Sequence, residues 1–397
     1  MNRTERLYYQ DCYLREFEAR VVVSEPGPRG WRVVLDRTAF YPDSGGQPAD
    51  RGTLSGLPVV DVIDEGDAIA HIVESRLDAP NVTGRIDWER RLDHMQQHTG
   101  QHLLSAAFEQ AGEYKTVSFH LGAEASTIDL DSDRLSRRQM DEAEDLANGI
   151  IYEDREVQIS FASAEEAARL GLRKPTEREG EIRIVEVRDF DRSACGGTHV
   201  SRTGAVGLIL VRRFERLKGL TRVEFVCGRR ALKTARRDCL TLTEAARLFS
   251  GALDNVPALI TKQSEELRAA LRAREKLVKR LAEYEAREIW SASIERGGRR
   301  ILSRVFAAED YDEAKMLAHA LTRQPTTVAL IGVKGEPAAL FFAQTPGGAA
   351  DMGSILKQTV MKVGGKGGGA RDFAQGGGLD EERLEEALTL AEGLLDA

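Results

Sequence analysis

Two short motifs, far apart in the sequence, constrain the fold most because their side chains suit a single metal ion. His98 and His102 are four residues apart, a spacing that places both imidazoles on one face of a helix. Cys195 and His199 are also four residues apart, and the two glycines between them allow a tight backbone turn. Three nitrogens and one sulfur in a tetrahedral set favour zinc over magnesium or calcium, which prefer oxygen. We therefore predict a Zn2+ site with these four ligands.

The same residues leave three alternatives to this interpretation. His94 precedes His98 by four residues and is a possible substitute for His102; all three cannot bind one ion, because His94 and His102 are ~12 Å apart along a helix. Four protein ligands are typical of a structural zinc, so a catalytic site would need one ligand that is loose or displaced by substrate. In the third alternative the histidines are ordinary core or surface residues and Cys195 is a buried thiol.

Length and composition indicate a multidomain globular protein. The chain has 397 residues and exceeds the ~250 to 300 residues at which single cores stop growing, so we expect two or three domains. Its 42% apolar and 30% charged residues are typical of globular proteins. Four cysteines form no disulfide framework, and the sequence has neither an apolar signal core nor an apolar run of ~18 residues. These features predict a cytoplasmic protein.

Charge is unevenly distributed along the chain. The net charge of -8 argues weakly against indiscriminate nucleic-acid binding, because an acidic surface repels polyanions. Residues 212–237 nevertheless contain ten lysines or arginines against two glutamates. We interpret this segment, with Arg212, Arg213 and Lys218, as a candidate phosphate-facing surface. A solvated face that only keeps the protein in solution is the alternative.

The first half of the chain changes from strand to helix patterns. Residues 1–88 contain short β runs separated by turns, which predict a small antiparallel β-barrel. The runs are Ala19 to Val23, Trp31 to Leu35, Val59 to Ile63, Ile69 to Val73 and Val82 to Ile86. From about Trp88, apolar residues recur at three- and four-residue steps, which indicates a helix. Helices and strands then alternate, so residues 89–228 are predicted to form an α+β zinc-binding domain.

The second half contains two further segments. Residues 229–297 have few β-branched clusters and one break near Ser250, which predicts a helical hairpin. A narrow apolar stripe from Ile260 to Leu281 indicates that its second arm is a coiled-coil linker. Residues 298–397 return to mixed α/β structure with two glycine clusters. The predicted fold class is therefore multidomain α+β with a compact glycine-rich C-terminal domain.

Three segments resemble one protein family. Residues 97–104, followed by the motif from Cys195 to His199, look like the editing domain of alanyl-tRNA synthetase and its stand-alone AlaX relatives. The loop at 40–48 resembles the glycine-rich signature that precedes that domain. The glycine clusters at 364–369 and 376–378 are similar to the DHH-associated C-terminal domain of the synthetase and of long AlaX proteins. Threonyl-tRNA synthetase editing domains carry similar ligand pairs, but the loop and the glycine-rich domain favour the alanine system.

The resemblance implies an enzyme of translation fidelity. It implies that zinc on His98, His102, Cys195 and His199 serves the hydrolysis of seryl- or glycyl-tRNA for alanine in trans. The metal would either polarise a water or anchor the aminoacyl end. Such a second sieve is needed because one methylene or hydroxyl gives only ~10- to 200-fold discrimination by binding. Since the chain begins at the barrel, with no aminoacylation domain ahead of it, we expect editing without charging.

Substrate-facing residues are assigned with the help of the resemblance. A group that hydrogen-bonds the seryl hydroxyl would select serine over alanine. Thr116 is the candidate, with His120 assisting the ester or the ribose; an ordinary strand residue is the alternative for Thr116. Four residues of the loop at 40–48, which we call the barrel loop, are expected at the same cleft, unless they only form a tight turn: Ser44, Gly45, Gly46 and Gln47.

The C-terminal glycine cluster does not match a phosphate loop, because Lys366 is followed by Gly367 rather than Ser or Thr. The resemblance implies instead that this domain contacts tRNA or mediates dimerisation, with Lys366 and Arg371 as phosphate contacts. A flexible surface turn is the alternative. The predicted partners are mischarged alanine tRNA and a second copy of the chain, without a membrane. Two rival functions remain: a non-catalytic tRNA-binding protein with structural zinc, and editing of seryl-tRNA for threonine.

Overall fold

A closed β-barrel forms the first part of the protein in the computed structural model, which describes residues 3–175 and 180–396. The strands of this part are β1 (Glu5–Arg6), β2 (Glu16–Gly27), β3 (Gly30–Leu35), β4 (Arg37–Thr38), β5 (Gly52–Leu54), β6 (Leu57–Asp64), β7 (Ile69–Val73) and β8 (Asn81–Ile86). Six of them close the barrel in the order β2-β3-β7-β6-β5-β8, with antiparallel neighbours throughout. The predicted barrel is confirmed. Its three-residue strand β5 was not predicted.

An α+β segment follows the barrel. Its elements are α1 (Trp88–Gly112), β9 (Thr116–Leu121), β10 (Ser126–Leu130), α2 (Arg137–Tyr152), β11 (Val157–Ser163), α3 (Ala164–Arg169), β12 (Glu181–Val187), β13 (Asp191–Ala194), β14 (Ile209–Leu217), β15 (Leu220–Cys227) and α4 (Gly228–Leu248). The strands form two sheets, with the orders β14-β15-β10-β9 and β11-β12-β13. The alternation predicted from the sequence is therefore present. Strand β13, which leads directly to Cys195, was missed.

Helix α1 is the most deeply buried element of this segment. Asp87 begins the helix by accepting a hydrogen bond from the Arg90 backbone at 3.2 Å. Every residue from His94 to Phe108 is buried. The C-terminal half of the helix contributes Leu103, Leu104 and Phe108 to the apolar core. The N-terminal half is rich in polar residues, so their side chains need partners within the protein.

A buried ion pair connects the barrel to this helix. Arg91 of α1 and Asp50, which lies just before β5, have side chains with no solvent exposure. Arg91 Nε donates to the two carboxylate oxygens of Asp50 at 3.1 and 3.0 Å, and Nη1 donates to the Cys12 carbonyl at 2.9 Å. The same carboxylate accepts a hydrogen bond from the Tyr41 backbone at 2.7 Å. The pair is therefore fully hydrogen-bonded, as a buried charge requires.

The chain divides into two compact units, Met1–Glu244 and Ala245–Ala397. The second contains α5 (Val256–Ala292), β16 (Arg300–Phe306), α6 (Tyr311–Leu321), β17 (Thr327–Val333), β18 (Ala338–Gln344), α7 (Met352–Val363), β19 (Lys366–Gly369), β20 (Phe373–Leu379) and α8 (Leu384–Asp396). Its sheet has the order β16-β17-β18-β20-β19, with only the first pair parallel. Residues of β17 and β18 alternate between a core with α7 and α8 and a core with α5 and α6. The predicted mixed α/β segment is thus a three-layer arrangement.

The second glycine cluster lies entirely in a strand, and so does the first from residue 366 onwards. Gly367 and Gly369 belong to β19, which pairs antiparallel with the glycine-rich strand β20. A Cβ on Gly367 would lie 2.7 Å from the Gly376 Cα and 3.0 Å from the Leu356 side chain of α7. The absence of side chains therefore lets α7 and the neighbouring strand approach closely. The flexible-turn alternative for this cluster is wrong.

The predicted helices of the linker are present as α4 and α5, with Pro257 in the first turn of α5. Four apolar residues of the predicted stripe are 47% to 60% exposed: Ile260, Leu267, Leu271 and Leu281. Because these residues are exposed, the coiled coil and the homodimer stay predictions. The domain limits at 88, 228 and 297 also stay predictions. None of the described helices combines the length and the apolar character needed to cross a membrane.

The buried ion pair generates a prediction about stability. Replacing Asp50 with Asn leaves the Arg91 charge buried without a counter-ion, so we expect the free energy of unfolding to fall by ~3 to 5 kcal/mol. Glu142→Gln, which breaks the exposed pair between Arg138 and Glu142, should leave the free energy of unfolding unchanged within experimental error. Urea denaturation of the three proteins measures both effects. Equal stability of the two variants would show that the buried pair does not hold the barrel to α1.

Candidate metal centre

The four predicted ligands lie together in the structure. His98 and His102 belong to α1, and Cys195 and His199 lie in the loop that follows β13. Their ligand atoms all lie within 4.8 Å of one another. Cys195 Sγ lies 3.4 Å from His98 Nε2 and 3.3 Å from His199 Nε2. Zinc bonds of ordinary length in a tetrahedral site put sulfur and nitrogen ligands ~3.5 Å apart, so these side chains fit one ion.

His94 is not part of this group. Among the described residues, the cluster that can hold a metal contains His102 and not His94. The structure therefore favours the pair His98 and His102 over the alternative pair His94 and His98. The ordinary-core alternative for these histidines is also disfavoured, because three buried imidazoles and a thiol converge on one point.

Gln47 of the barrel loop orients His98. Its side chain is fully buried, and its Oε1 accepts hydrogen bonds from His98 Nδ1 at 2.8 Å and from the Thr198 backbone at 3.1 Å. Its Nε2 donates to the Thr198 hydroxyl at 2.9 Å. The amide thus leaves His98 Nε2 directed to the cluster and ties both ligand motifs to the barrel. We predicted Gln47 as a substrate residue, and the structure places it behind a ligand instead.

The other two imidazoles are oriented in the same manner. His102 Nδ1 lies 2.9 Å from Asp191 Oδ2, and that carboxylate also accepts from Arg173 Nε at 2.6 Å. His199 Nδ1 lies 3.1 Å from the Thr99 hydroxyl. All three rings therefore have Nδ1 engaged and Nε2 available for a metal, which is the usual arrangement of ligating histidines. Asp191 and Thr99 gave no signal in the sequence.

The electrostatics of the centre favour a thiolate. Burial opposes a charged thiol, but the imidazoles of His98 and His199 and hydrogen bonds from His102 and His199 hold the pKa of Cys195 well below its usual value. Burial lowers the pKa of His102, yet hydrogen bonds with Asp191 and Cys195 raise it to about 9. Burial lowers the pKa of His199 to about 3. Cys195 would bind a metal as a thiolate, and His102 would have to release a proton to bind it through Nε2.

Backbone packing fixes the turn that carries Cys195. A Cβ on Gly197 would lie 2.1 Å from the His98 ring, so any larger residue would push the ligand away. Arg183, which is only 6% exposed, donates to the carbonyls of Cys195 at 2.7 Å and Gly197 at 3.0 Å. This arginine anchors the turn, and no sequence pattern pointed to it.

Two cavities open on the cluster. One of about 430 Å³ is lined by Ser44, Gly45, His98 and Cys195, among others. The other, of about 230 Å³, is lined by Gly45, His98, His102 and Thr116, among others. Cys195 is partly exposed, whereas the three histidines are 2% to 5% exposed. The two cavities therefore reach the cluster from different sides, one beside Cys195 and the other beside Thr116.

A β-bulge decides which β9 residues face the centre. Leu130 of β10 pairs with Thr116, and Asp129 pairs with Ser118, so Val117 is an extra residue. Alternation then places Thr116 on the face of buried Leu130 and places exposed His120 on the opposite face. Thr116 lines the cavity beside the cluster, whereas His120 lines neither cavity. The structure brings Thr116 to the ligands and leaves His120 apart.

The predicted basic contacts are distributed over both units. Arg212 is paired with Asp238, and Arg213 with Glu224, so neither has a free charge; Lys218 lies in the exposed turn between β14 and β15. In the second unit Lys366 is exposed at the edge strand β19, and Arg371 donates to two loop carbonyls at 3.3 Å. None of these five lines the cavities at the cluster.

Comparisons with known proteins agree with this arrangement. Residues 182–224 match the family described as the threonyl and alanyl tRNA synthetase second additional domain, and residues 301–397 match the DHHA1 domain. The alanyl-tRNA editing protein AlaX-L of Pyrococcus horikoshii is 33% identical over 98% of this chain and 97% of its own length.

Alanine–tRNA ligases match the same residues. Those of Pyrococcus abyssi and Halobacterium salinarum are 33% and 37% identical over 97% and 99% of this chain. The chain spans 43% and 44% of the lengths of these two ligases. The solved C-Ala domain of Aquifex aeolicus alanyl-tRNA synthetase matches 26% of this chain and 98% of its own, with 24% identity and a TM-score of 0.25. A score this low supports no argument about the fold.

The contact between Asp191 and His102 generates a prediction about metal affinity. Asp191→Asn keeps the shape of the side chain but removes the charge that orients and strengthens the His102 ligand. We expect zinc to bind ~10- to 100-fold more weakly. Competition with a chromophoric chelator measures the change, and Asp154→Asn, which alters an exposed carboxylate, is the control. Unchanged affinity in a folded Asp191→Asn protein would mean that His102 does not bind the metal.

Proposed function

The chain belongs to the family of alanyl-tRNA editing proteins and alanine–tRNA ligases, and from this premise we propose that it hydrolyses the ester of mischarged alanine tRNA in a zinc-dependent reaction. The substrates are seryl- and glycyl-tRNA for alanine, acted on in trans and in the cytoplasm. The observation that supports this proposal best is the cluster of three imidazoles and one thiol at the wall of two solvent-filled cavities.

Zinc is the metal that this donor set fits. Nitrogen and sulfur ligands exclude the oxygen-preferring cations, and a buried thiolate with three oriented imidazoles matches the tetrahedral preference of zinc. When bound, zinc supplies positive charge close to the ester, either to polarise a water or to anchor the aminoacyl end. Gln47, Asp191 and Thr99 hold the imidazoles so that the ligand geometry is set before substrate arrives.

Thr116 supplies a basis for selecting serine. Its hydroxyl donates to Ser105 Oγ at 2.7 Å. The oxygen of this hydroxyl can still accept a hydrogen bond from a group in the cavity that Thr116 lines. A seryl hydroxyl can donate to that oxygen, whereas the alanine methyl would leave it without this contact. The nearby ring of Phe119, 5.3 Å from His98 between centroids, closes the apolar side of the same space. This contact favours seryl-tRNA over alanyl-tRNA.

A structural zinc in a non-catalytic tRNA-binding protein is the second candidate function. The complete set of four protein ligands favours it, because a catalytic zinc keeps one position open. The position of Cys195 favours the catalytic proposal, because this ligand lines the larger of the two cavities at the cluster, where an incoming group could displace it. Measurement of turnover separates the two.

Deacylation assays test the proposed function. We expect the wild-type protein to hydrolyse seryl- and glycyl-tRNA for alanine and to spare alanyl-tRNA. Cys195→Ala should lose zinc and at least ~100-fold in rate, because several kcal/mol of charge stabilisation is removed. Cys239→Ala, which changes an exposed cysteine, is the matched control.

Each other outcome of these assays has a definite meaning. Intact esters in zinc-replete wild type would leave a tRNA-binding or structural role only. Selective loss of serine from the threonine tRNA would instead assign the protein to threonine editing.

A second prediction concerns Thr116. Thr116→Val keeps the branched shape and removes the hydroxyl, so we expect seryl-tRNA deacylation to fall ~10-fold, as the loss of one hydrogen bond predicts, with a smaller change for glycyl-tRNA. The control is Thr127→Val, the same change on the opposite face of the neighbouring strand β10. Rates for both esters should be compared at limiting substrate. An equal fall for the two esters would show that Thr116 does not read the seryl hydroxyl.

A further inference from the structure

A third cavity, of about 690 Å³, lies in the first unit outside the metal centre. The first turns of α1 and α4 form two of its walls. Pro48 of the barrel loop and Gly122, which follows β9, complete it. No residue that lines this cavity also lines the two cavities at the ligand cluster.

The cavity is lined by more positively than negatively charged side chains. Five basic and three acidic residues line it. Asp93 is paired with Arg230 at 2.6 Å and Glu89 with Arg229 at 3.0 Å, while Asp87 caps helix α1. Among the described residues, the other three basic side chains form no ion pair: Arg51, Arg90 and Lys233. The cavity therefore presents cations without protein counter-ions.

The surroundings of Arg90 show the same excess. Its guanidinium donates to the Ala49 carbonyl at 2.9 Å, and this contact fixes it at the cavity wall. Burial lowers the pKa of Arg90, the charge of Arg51 lowers it further, and the carboxylates of Asp50, Asp87 and Asp93 oppose both effects. Asp50 and Asp93 are already paired with Arg91 and Arg230, so a bound anion would stabilise the neighbouring charges of Arg51 and Arg90.

His94 gives an independent indication of a ligand. It lines the cavity and is only 2% exposed, and its Nδ1 has no hydrogen-bond partner among the described residues. Burial lowers the pKa of His94 to about 3, so the ring is neutral. A buried Nδ1 without a partner is unfavourable, and a polar group bound in the cavity would satisfy it.

Two segments run from the metal centre to this cavity. The barrel loop contributes Gly45 to both cavities at the cluster and Pro48 to the third cavity. Strand β9 contributes Thr116 at the cluster and is followed by Gly122 at the third cavity. The loop and the strand are joined by a hydrogen bond from the Leu121 backbone to the Gly46 carbonyl at 3.1 Å. On α1, His94 precedes His98 by one turn, ~6 Å along the helix axis.

We propose that this cavity binds a backbone phosphate of the single-stranded acceptor end of the tRNA, close to the nucleotide whose ribose carries the ester. This inference rests on the proposed function, since it places the ester at the metal centre. Arg51, Arg90 and Lys233 neutralise the phosphodiester, and the backbone continues along the barrel loop and β9 to the cluster. Phosphate contacts of this kind fix position without reading sequence. The cavity thus holds the acceptor end in register for hydrolysis.

Binding of uncharged tRNA for alanine tests the proposal without requiring catalysis. Arg51 and Lys233 are exposed, so Arg51→Gln and Lys233→Gln should leave the fold intact. We expect the double variant to bind this tRNA about 10-fold more weakly at moderate salt. The slope of log Kd against log salt should fall by ~0.7 for each lost contact with a single strand. Arg134→Gln, whose side chain is 94% exposed, is the matched control.

Kinetics with seryl-tRNA give a second readout. The loss in the double variant should appear mainly in KM rather than in kcat, because a positioning phosphate is bound before the ester reacts. Affinity, salt slope and KM that all equal those of Arg134→Gln would overturn the cavity proposal. A third outcome is possible: the double variant binds tRNA more weakly than the wild type, but the wild type leaves the ester intact. This outcome would overturn the editing function and still support the cavity as a phosphate site.

Discussion

One face of α1 carries the polar side chains on which the first unit depends. They are spaced by three or four residues and form a single stripe along the helix: Arg91, His94, His98 and His102. Burying such a stripe is unfavourable unless each group finds a partner. Asp50 and Gln47 come from the barrel, and Asp191 comes from β13, so two separate regions meet the same helix. Polar contacts therefore fix the barrel and the three-stranded sheet against α1 and, in doing so, build the metal centre.

The three imidazoles are not equivalent, because their partners differ in charge. An amide orients His98, a carboxylate orients His102 and a hydroxyl orients His199. Burial lowers the pKa of His102, but the Asp191 carboxylate raises it, and this contact strengthens His102 as a ligand. Cys195 lies at the other extreme, since its thiolate faces a cavity while its backbone is anchored by Arg183. The proposed substrate would enter from this side and would reach a bound metal without disturbing the buried contacts behind it.

Much of this structure could be predicted from sequence, because hydrophobic periodicity and ligand spacing are local signals. Five of the six barrel strands, α1 and the four residues of the cluster were identified in this way. The partners of the ligands were not, because Gln47 and Asp191 are 51 and 89 residues away from the histidines they contact. The bulge at Val117 was equally invisible, and it reverses the face on which His120 lies. A flexible turn was the alternative for the cluster at 364–369, but residues from 366 onwards form a strand. Leu356 of α7 packs closely over Gly367 and Gly376, a contact that sequence alone does not reveal.

A second point of attachment explains how such a centre would act on a flexible substrate. An ester at the end of a single strand has many conformations. If the enzyme bound only the ester carbonyl, the entropy of these conformations would have to be lost during the reaction step. A phosphate held in the cavity beside His94 restricts them in advance, so binding energy remote from the ester is used for orientation. The stripe on α1 makes this coupling rigid, because His94 and His98 are one helical turn apart and cannot move independently. The helix therefore sets the distance between the anchored backbone and the reacting group.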